Sequence, residues 1–307
     1  MNETILTAQG LTKRYGSAVA VDHVDMSIRK GQIYGLIGRN GAGKTSIIRM
    51  IAAQSSPSGG KISLFGSATQ AQLAAARSRI GVMVETPSFY PYLTAHQNLE
   101  YYRLQRGIPG KHCVDEALET VGLADVGKKN FKAFSLGMKQ RLGLGLALMN
   151  HPDFLLLDEP INGLDPEGIV EFRNLLLQLN RERKTTILIS SHILSELSNL
   201  ATHYGFLDKG TMLEQISAAQ LNEKCRAGLQ LTVDNAGKAV LALEQKLGIR
   251  DYEVLSGNVI LVFELLQEPQ RVTSTLAESG IAISGVESKG SGLEEYFLDL
   301  IGGHGHA

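Results

Sequence analysis

Three short segments of the chain are apolar at nearly every position, whereas a strand exposed on one face would alternate. They span residues 33–37, 153–158 and 185–190 and have the sequences IYGLI, DFLLLD and TTILIS. Unbroken apolar runs of this length are typical of strands buried on both faces, as in a parallel sheet covered by helices. The pattern therefore predicts an α/β core.

Between the first and the second of these strands, the spacing of the apolar residues changes. Between residues 85 and 151, three stretches have helical apolar spacing: LTAHQNLEYYRLQRGI, CVDEALETVGL and SLGMKQRLGLGLALMN. Apolar residues three and four positions apart indicate amphipathic helices rather than strands. We interpret residues 85–151 as a helical insertion that divides the core into segments 1–84 and 152–224.

The segment 225–307 alternates short strands with helices. The predicted strands cover 229–233, 251–255, 258–263 and 281–287, and the predicted helices cover 236–247, 267–278 and 293–301. This order suits a split-βαβ, ferredoxin-like arrangement. We predict a small accessory α+β domain, whose role the sequence does not indicate.

Composition argues against several classes of partner. The chain has 30 basic and 31 acidic residues and a net charge of -1, so no overall field favours nucleic acid or an acidic membrane surface. Its two cysteines, Cys113 and Cys225, form no C-x-x-C pair, which fits a reducing compartment. No secretory signal is recognisable, and no window reaches the ~20 apolar residues of a membrane span. We predict a cytoplasmic protein that binds no nucleic acid.

The first apolar strand leads into a glycine-rich segment, GRNGAGKT, at residues 38–45, which is followed by the helically spaced KTSIIRMIAA. Glycines let backbone N–H groups turn around an anion, and the helix presents its positive end to the same place. Lys44 would neutralise phosphate oxygens and the Thr45 hydroxyl would coordinate Mg²⁺. A plain glycine turn between strand and helix is the alternative. The candidate nucleotide-binding residues here are Gly38, Asn40, Gly41, Gly43, Lys44, Thr45 and Ser46.

The second and third apolar strands each end in residues suited to catalysis. FLLLDEP delivers Asp158 and Glu159 to the carboxyl end of its strand, where ligands of open α/β sheets bind. Asp158 could hold Mg²⁺ through water, and Glu159 could polarise an attacking water. His192 follows the third strand, where an imidazole could contact the terminal phosphate. The alternatives are a solvated acidic loop and an ordinary surface histidine.

The segment FSLGMKQR at residues 134–141 places Ser135 and Gly137 at the start of a predicted helix. The N-terminus of that helix could cradle a phosphate. By itself, the segment would equally suit a capped helix start.

In this order, the segments resemble the nucleotide-binding subunit of an ATP-binding cassette (ABC) transporter over about residues 4–220. The resemblance implies an α/β fold with a P-loop NTPase core, built on a RecA-like parallel sheet, and an inserted helical subdomain. With the small C-terminal α+β domain, the predicted domains are an ABC cassette at 1–224 and an accessory domain at 225–307.

The resemblance also implies site residues. Tyr15, in LTKRYG, matches the aromatic that stacks on adenine, and Asp158 matches the Walker B aspartate. Glu159 matches the catalytic carboxylate and His192 the switch histidine, so the implied catalytic set is Glu159, His192 and Lys44. Asp165 ends the NGLD segment that matches the D-loop, which communicates across a dimer.

Two positions depart from the commonest family pattern. Glu85, in VMVETPSFY, replaces the usual glutamine of the loop that joins the core to the helical insertion. The signature segment has the sequence SLGMK at residues 135–139 instead of the commoner LSGGQ. Both changes resemble the bacterial subfamily that exports, or gives immunity to, bacitracin-like and lantibiotic peptides. Glu85 can still hold Mg²⁺ through oxygen, together with Thr45 and Asp158.

We therefore predict an ATPase subunit that uses ATP and Mg²⁺ and works as a homodimer beneath membrane-spanning permease subunits, at the inner face of the membrane. ATP would be sandwiched between residues 38–45 of one copy and residues 135–139 of the other. One alternative is a soluble ABC protein acting on ribosomes or DNA, although those usually carry two cassettes, coiled coils or basic segments. Another is a regulatory module that hardly hydrolyses ATP, against which Glu159 and His192 argue.

Overall fold

The computed structural model describes residues 3–84, 88–289 and 293–303. The chain forms two compact units, residues 1–218 and 219–307. Helix Ala218–Lys224 spans this division, and the sequence-based boundary at residue 224 lies at the end of the same helix. Among the described residues, no helix is both long enough and apolar enough to cross a bilayer.

Among the described residues, the first unit contains two sheets, seven α-helices and the short 3₁₀ helices Ala124–Val126 and Phe131–Ala133, and an eighth α-helix crosses into the second unit. The strands of the first unit are β1 Thr4–Tyr15, β2 Ala18–Arg29, β3 Ile33–Gly38, β4 Gly59–Leu64, β5 Ile80–Met83, β6 Phe154–Asp158, β7 Thr186–Ser191, β8 His203–Asp208 and β9 Thr211–Ser217. The α-helices are α1 Lys44–Ile51, α2 Gln70–Arg77, α3 Ala95–Gln105, α4 His112–Thr120, α5 Leu136–Leu148, α6 Pro166–Arg183, α7 Leu194–Ser198 and α8 Ala218–Lys224.

The larger sheet has the strand order β5-β6-β7-β3-β8-β9, with β9 antiparallel and the other pairs parallel. Every residue of β3, β6 and β7 is buried, so the three apolar runs are indeed central strands. Asp158 lies opposite Ser190 in the register, and Ile37 lies opposite Ser191. Parallel alignment thus brings three carboxyl ends to one edge of the sheet, and the predicted α/β core is confirmed.

A second, antiparallel sheet with the order β2-β1-β4 completes the core. Side chains of both sheets and of α1 belong to one buried cluster, including Leu6, Ile28, Ile47, Ile48 and Leu156. This sheet was not predicted from the sequence. Strands β1 and β2 pair through repeated register shifts, which disturb the alternation that would identify them.

The helical insertion is confirmed by α3, α4 and α5. Helix α3 begins with a capping box: the Thr94 hydroxyl accepts a hydrogen bond from Gln97 N–H, and the Gln97 side chain accepts one from Thr94 N–H. Phe89 and Phe131 pack with ring centroids 5.1 Å apart at the base of these helices. Phe131 also packs against Phe134, 5.8 Å away between ring centroids, which directly precedes the N-cap of α5, where the candidate signature segment lies.

The second unit is a four-stranded antiparallel sheet with helices. Its further elements are β10 Gly228–Val233, α9 Ala236–Ala242, β11 Tyr252–Leu255, β12 Val259–Val262, α10 Pro269–Glu278, β13 Ile283–Lys289 and α11 Leu293–Gly303. The strand order β11-β12-β10-β13 is that of a split βαβ, so the predicted α+β fold is confirmed. Residues of α9, α10 and the sheet share a separate buried cluster.

Candidate functional site

The glycine loop, residues 38–45, connects β3 to α1 in a conformation that only glycine suits at two positions. Gly41 and Gly43 have φ angles of 81° and 107°. A Cβ atom at Gly43 would lie 2.4 Å from the Ala20 carbonyl oxygen, and one at Gly38 would lie 2.5 Å from that of Leu207. The loop is therefore held against the neighbouring strands by contacts that exclude side chains.

Lys44 begins α1, and its side chain is only 5% exposed. Its Nζ donates to the carbonyl oxygens of Gly38, at 2.6 Å, and Arg39, at 3.3 Å, so the loop curls around the ammonium group. The N-cap residue of this helix, Gly43, offers no side-chain cap, and the first turn carries no acidic residue. The first N–H groups of a helix have no intrahelical partner, and together with the buried ammonium group they suit an anion with several oxygens.

One carboxylate joins the glycine loop to the end of β7. Glu159 Oε1 lies 3.1 Å from Lys44 Nζ, and its Oε2 lies 2.6 Å from His192 Nδ1. Glu159 has a φ of 49°, a left-handed conformation that turns the chain sharply after β6. Glu159 therefore contacts both of the other predicted catalytic residues, and its carboxylate is able to accept a proton beside a cation.

Asp158 is the last residue of β6 and is 4% exposed. Ser190 Oγ donates to Asp158 Oδ1 at 2.6 Å, and Ser190 Oγ also accepts from Glu159 N–H at 3.0 Å. Ser190 was not among the predicted site residues, because its partners lie on a neighbouring strand.

The turn that carries His192 has its own support. Ser191 Oγ accepts from Ile193 N–H at 2.9 Å and contacts Glu196 Oε2 at 3.0 Å. Burial raises the pKa of Glu196, and the hydrogen bond to Ser191 partly offsets that effect. Ser191 and Glu196, also missed in the sequence, hold the backbone next to the imidazole.

Tyr15 ends β1 and exposes 48% of its surface, with its ring available to a planar ligand. Hydrogen bonds with the hydroxyls of Ser46 and, secondarily, Ser55 lower the pKa of Tyr15. Lys13 Nζ lies 4.8 Å from the ring centroid. The contact with Ser46 connects the ring to the first turn of α1.

The signature segment occupies a different part of the unit. Ser135 caps α5 by accepting a hydrogen bond from Met138 N–H at 3.3 Å, and Asp165 caps α6 by accepting one from Gly168 N–H at 3.0 Å. The two helix starts share a pocket of about 650 Å³, to which Gly137 also contributes. The described residues that line it include none from the glycine loop, so a single copy does not combine these two predicted binding segments in one pocket.

The structure places two of the three remaining predicted site residues and does not describe the third. Asn40 is exposed in the glycine loop, and Thr45 is half-buried in the first turn of α1. Glu85 lies outside the described residues. Among the residues that are described, no group of three or more histidine, cysteine or acidic side chains could hold a metal ion alone.

Comparison with known proteins extends these observations. The ABC transporter family model matches residues 21–162. The chain is 44% identical over 300 residues to the bacitracin transport ATP-binding protein BcrA of Bacillus licheniformis, with 98% of each chain covered. It is 40% identical over 209 residues to the lantibiotic transport ATP-binding protein SrtF of Streptococcus pyogenes, covering 68% of this chain and 89% of SrtF.

Solved structures support the same fold. CbiO1 of Clostridium perfringens, part of an ABC transporter complex, aligns with a TM-score of 0.66 at 24% identity, covering 72% of this chain and 92% of its own. An ATP-binding subunit of an ABC transporter aligns with a TM-score of 0.62 at 26% identity, with the same coverage. Given this fold and the nearly full-length match to BcrA, the chain belongs to the ATP-binding subunits of the ABC transporter family.

Proposed function

We propose that this ATPase drives the export of an antimicrobial peptide of the bacitracin or lantibiotic type, as a homodimer bound to membrane-spanning permease subunits. The nearly full-length similarity to BcrA carries this proposal, because it includes the accessory unit as well as the cassette. The SrtF similarity, which covers 68% of the chain, supports the same class of cargo. This arrangement would place the protein at the inner face of the membrane.

In the proposed mechanism, the glycine loop binds the phosphates of ATP. Lys44 Nζ contacts two loop carbonyl oxygens and the Glu159 carboxylate. On ATP binding, it would replace some of these contacts with contacts to phosphate oxygens. Charge-assisted contacts of this kind are stronger than neutral hydrogen bonds. The buried position of Lys44 restricts it to one orientation, which favours a fixed phosphate geometry.

Glu159 would act as the general base. A carboxylate at this position accepts a proton from water, and its contact with His192 orients it. Release of Lys44 to the phosphates would leave Oε1 free to bind that water. The other ring nitrogen of the same imidazole, Nε2, would donate to a phosphate oxygen of bound ATP.

Thr45 and Asp158 would hold Mg²⁺, with Glu85 contributing another oxygen. Hydroxyl and carboxylate oxygens suit this hard cation, which usually keeps water and substrate oxygens among its ligands. The small number of protein ligands here fits such a shared shell. When bound, the ion neutralises negative charge on the phosphates.

A second copy would complete each nucleotide site. Ser135 and Gly137 face a pocket separate from the glycine loop, so we infer that they contact ATP held by the other subunit. One solved bacterial ABC transporter cassette of the same fold, aligned with a TM-score of 0.63 at 23% identity, is dimeric. Asp165, at the start of α6 beside this pocket, would lie at the dimer interface.

The transport proposal can be separated from a ribosomal or DNA-related role by identifying the native partner. We expect the chain purified from its own membranes to carry a permease with several spanning helices. Disrupting the gene should increase sensitivity to bacitracin-type peptides, and the wild-type chain, but not Glu159→Gln, should restore resistance. Co-purification with ribosomal proteins, and unchanged peptide sensitivity, would support the soluble alternative.

Lys44→Ala is expected to weaken ATP binding by about 10- to 100-fold, because hydrogen bonds to a charged group contribute roughly 1.5–3 kcal/mol each. Titration with a fluorescent ATP analogue would measure the change. Lys30→Ala is a suitable control, since that lysine forms an exposed ion pair with Glu3. Equal affinity for both variants would exclude the glycine loop as the phosphate site.

Tyr15→Ala is expected to weaken ATP binding at least about fivefold, because stacking of a base on an aromatic ring is worth roughly 1–3 kcal/mol. Tyr15→Phe keeps the ring and should stay within about twofold of wild type. GTP affinity should fall in parallel, since stacking tolerates any base. A loss in Tyr15→Phe as large as that in Tyr15→Ala would assign the effect to the hydroxyl.

A further inference from the structure

Ser190 is the fully buried hydroxyl between the two acidic residues at the end of β6. It is 0% exposed and lies directly opposite Asp158 in the β6–β7 register. Its Oγ lies 2.6 Å from Asp158 Oδ1 and 3.0 Å from the Glu159 amide nitrogen. A single atom on the central sheet therefore contacts both residues of the acidic pair.

The Ser190 hydroxyl has a single proton, and this determines which group donates in each of its two hydrogen bonds. A serine hydroxyl has one proton and two lone pairs. Ionised Asp158 can only accept, so the proton is directed to its Oδ1, and the Glu159 N–H then donates to a lone pair of Oγ. No other assignment satisfies all three groups, and each contact therefore reinforces the other.

We propose that Ser190 is a positioning residue that holds the Asp158 carboxylate for Mg²⁺ and the Glu159 backbone for catalysis. The inference rests on the proposed roles of these two residues. The Asp158 side chain is buried, so its orientation depends on the few partners available to it. Glu159 has a φ of 49°. The hydrogen bond from its amide to Ser190 Oγ fixes the turn that directs the Glu159 side chain to Lys44 and His192.

Two matched comparisons at position 190 separate the effect of the hydroxyl from other effects of substitution. Ser190→Ala removes it, and wild-type serine is the reference for that change. Ser190→Thr retains the hydroxyl, whereas Ser190→Val has nearly the shape of threonine without it. The comparison of threonine with valine therefore cancels the effect of adding bulk at a fully buried position.

The decisive readout is divalent metal binding rather than turnover alone. Binding of Mn²⁺ to the ADP complex, measured by electron paramagnetic resonance, should weaken about 10- to 100-fold in Ser190→Ala and in Ser190→Val relative to Ser190→Thr. ATP affinity in the presence of EDTA should change less than about twofold. The rate at saturating ATP should fall with little change in KM for ATP.

Thr186→Val provides the structural control. Thr186 is also 0% exposed, and its hydroxyl accepts from Gly31 N–H at 3.0 Å at the other end of the same strand. Its replacement should lower thermal stability comparably and leave Mn²⁺ affinity within about twofold. Thermal unfolding of every variant would show which of them remain folded.

The outcomes distinguish this inference from the proposed function. Unchanged Mn²⁺ affinity and turnover in both hydroxyl-free variants would overturn the role of Ser190 while leaving ATP hydrolysis intact. An equal loss in Thr186→Val would also overturn it, because the effect would then be general to the strand. If the wild-type chain itself bound no nucleotide, the proposed function would fail instead.

Discussion

Glu159→Gln is expected to slow ATP hydrolysis by about 10²- to 10⁴-fold, the usual contribution of a positioned general base. The amide keeps the size of the side chain but cannot accept the proton of the attacking water at neutral pH. It also removes the negative charge that lies 3.1 Å from Lys44 Nζ. ATP affinity should therefore be retained or increased, because the phosphates no longer compete with a carboxylate for the lysine.

Single-turnover hydrolysis of radiolabelled ATP would measure the chemical step, and nucleotide titration would measure binding. Glu182→Gln, an exposed change on α6, is a matched control that should leave both values unchanged. Wild-type turnover in Glu159→Gln would assign the base elsewhere, with Asp158 and His192 as the next candidates. Loss of binding with the loss of turnover would instead indicate a damaged site.

The central sheet could be predicted from sequence because its strands are buried on both faces. Each apolar run ends in polar residues, and parallel strands must present those ends at one edge. From the sequence alone, Lys44, Glu159 and His192 are therefore predicted to lie in one region. The contacts in the structure are consistent with that placement, although the catalytic roles stay predictions.

The antiparallel sheet was missed because bulges interrupt the alternation in β1 and β2. Ser190 was missed for a different reason. The value of its hydroxyl depends on the register between β6 and β7, and a single sequence contains no measure of that register. A fully buried serine in a central strand is unusual enough to indicate a polar partner, but it does not identify Asp158.

The separation of the signature segment from the glycine loop also requires coordinates. Both segments have features of phosphate-binding helix starts, and their order along the chain does not reveal whether they share a pocket. In the structure Ser135 and Gly137 line a pocket with the start of α6 instead. This geometry makes a second copy necessary to the proposed mechanism.

ATP with Mg²⁺ is expected to convert purified Glu159→Gln from a 33.2 kDa monomer to a species of about twice that mass. Because the nucleotide is not consumed, its phosphates would continue to bridge the glycine loop of one subunit and the signature segment of the other. Each copy contributes the same two surfaces, so the assembly closes as a symmetric pair. Light scattering with and without ATP would measure the shift, which should also require Mg²⁺.

Adding Gly137→Asp to Glu159→Gln should abolish the shift, because a carboxylate would face the terminal phosphate of the opposing ATP. A Cβ atom at Gly137 would meet only Leu164 Cδ2, at 3.8 Å, so the substitution is compatible with the fold of its own subunit. Gly137→Asn has the same shape without the charge and should weaken dimer formation less. Both variants should still bind ATP through their own glycine loops. The shared site would be contradicted if the Glu159→Gln chain stayed monomeric at saturating ATP, or if the Gly137→Asp chain bound no ATP at all. Residues 134–141 would then be only a capped helix start.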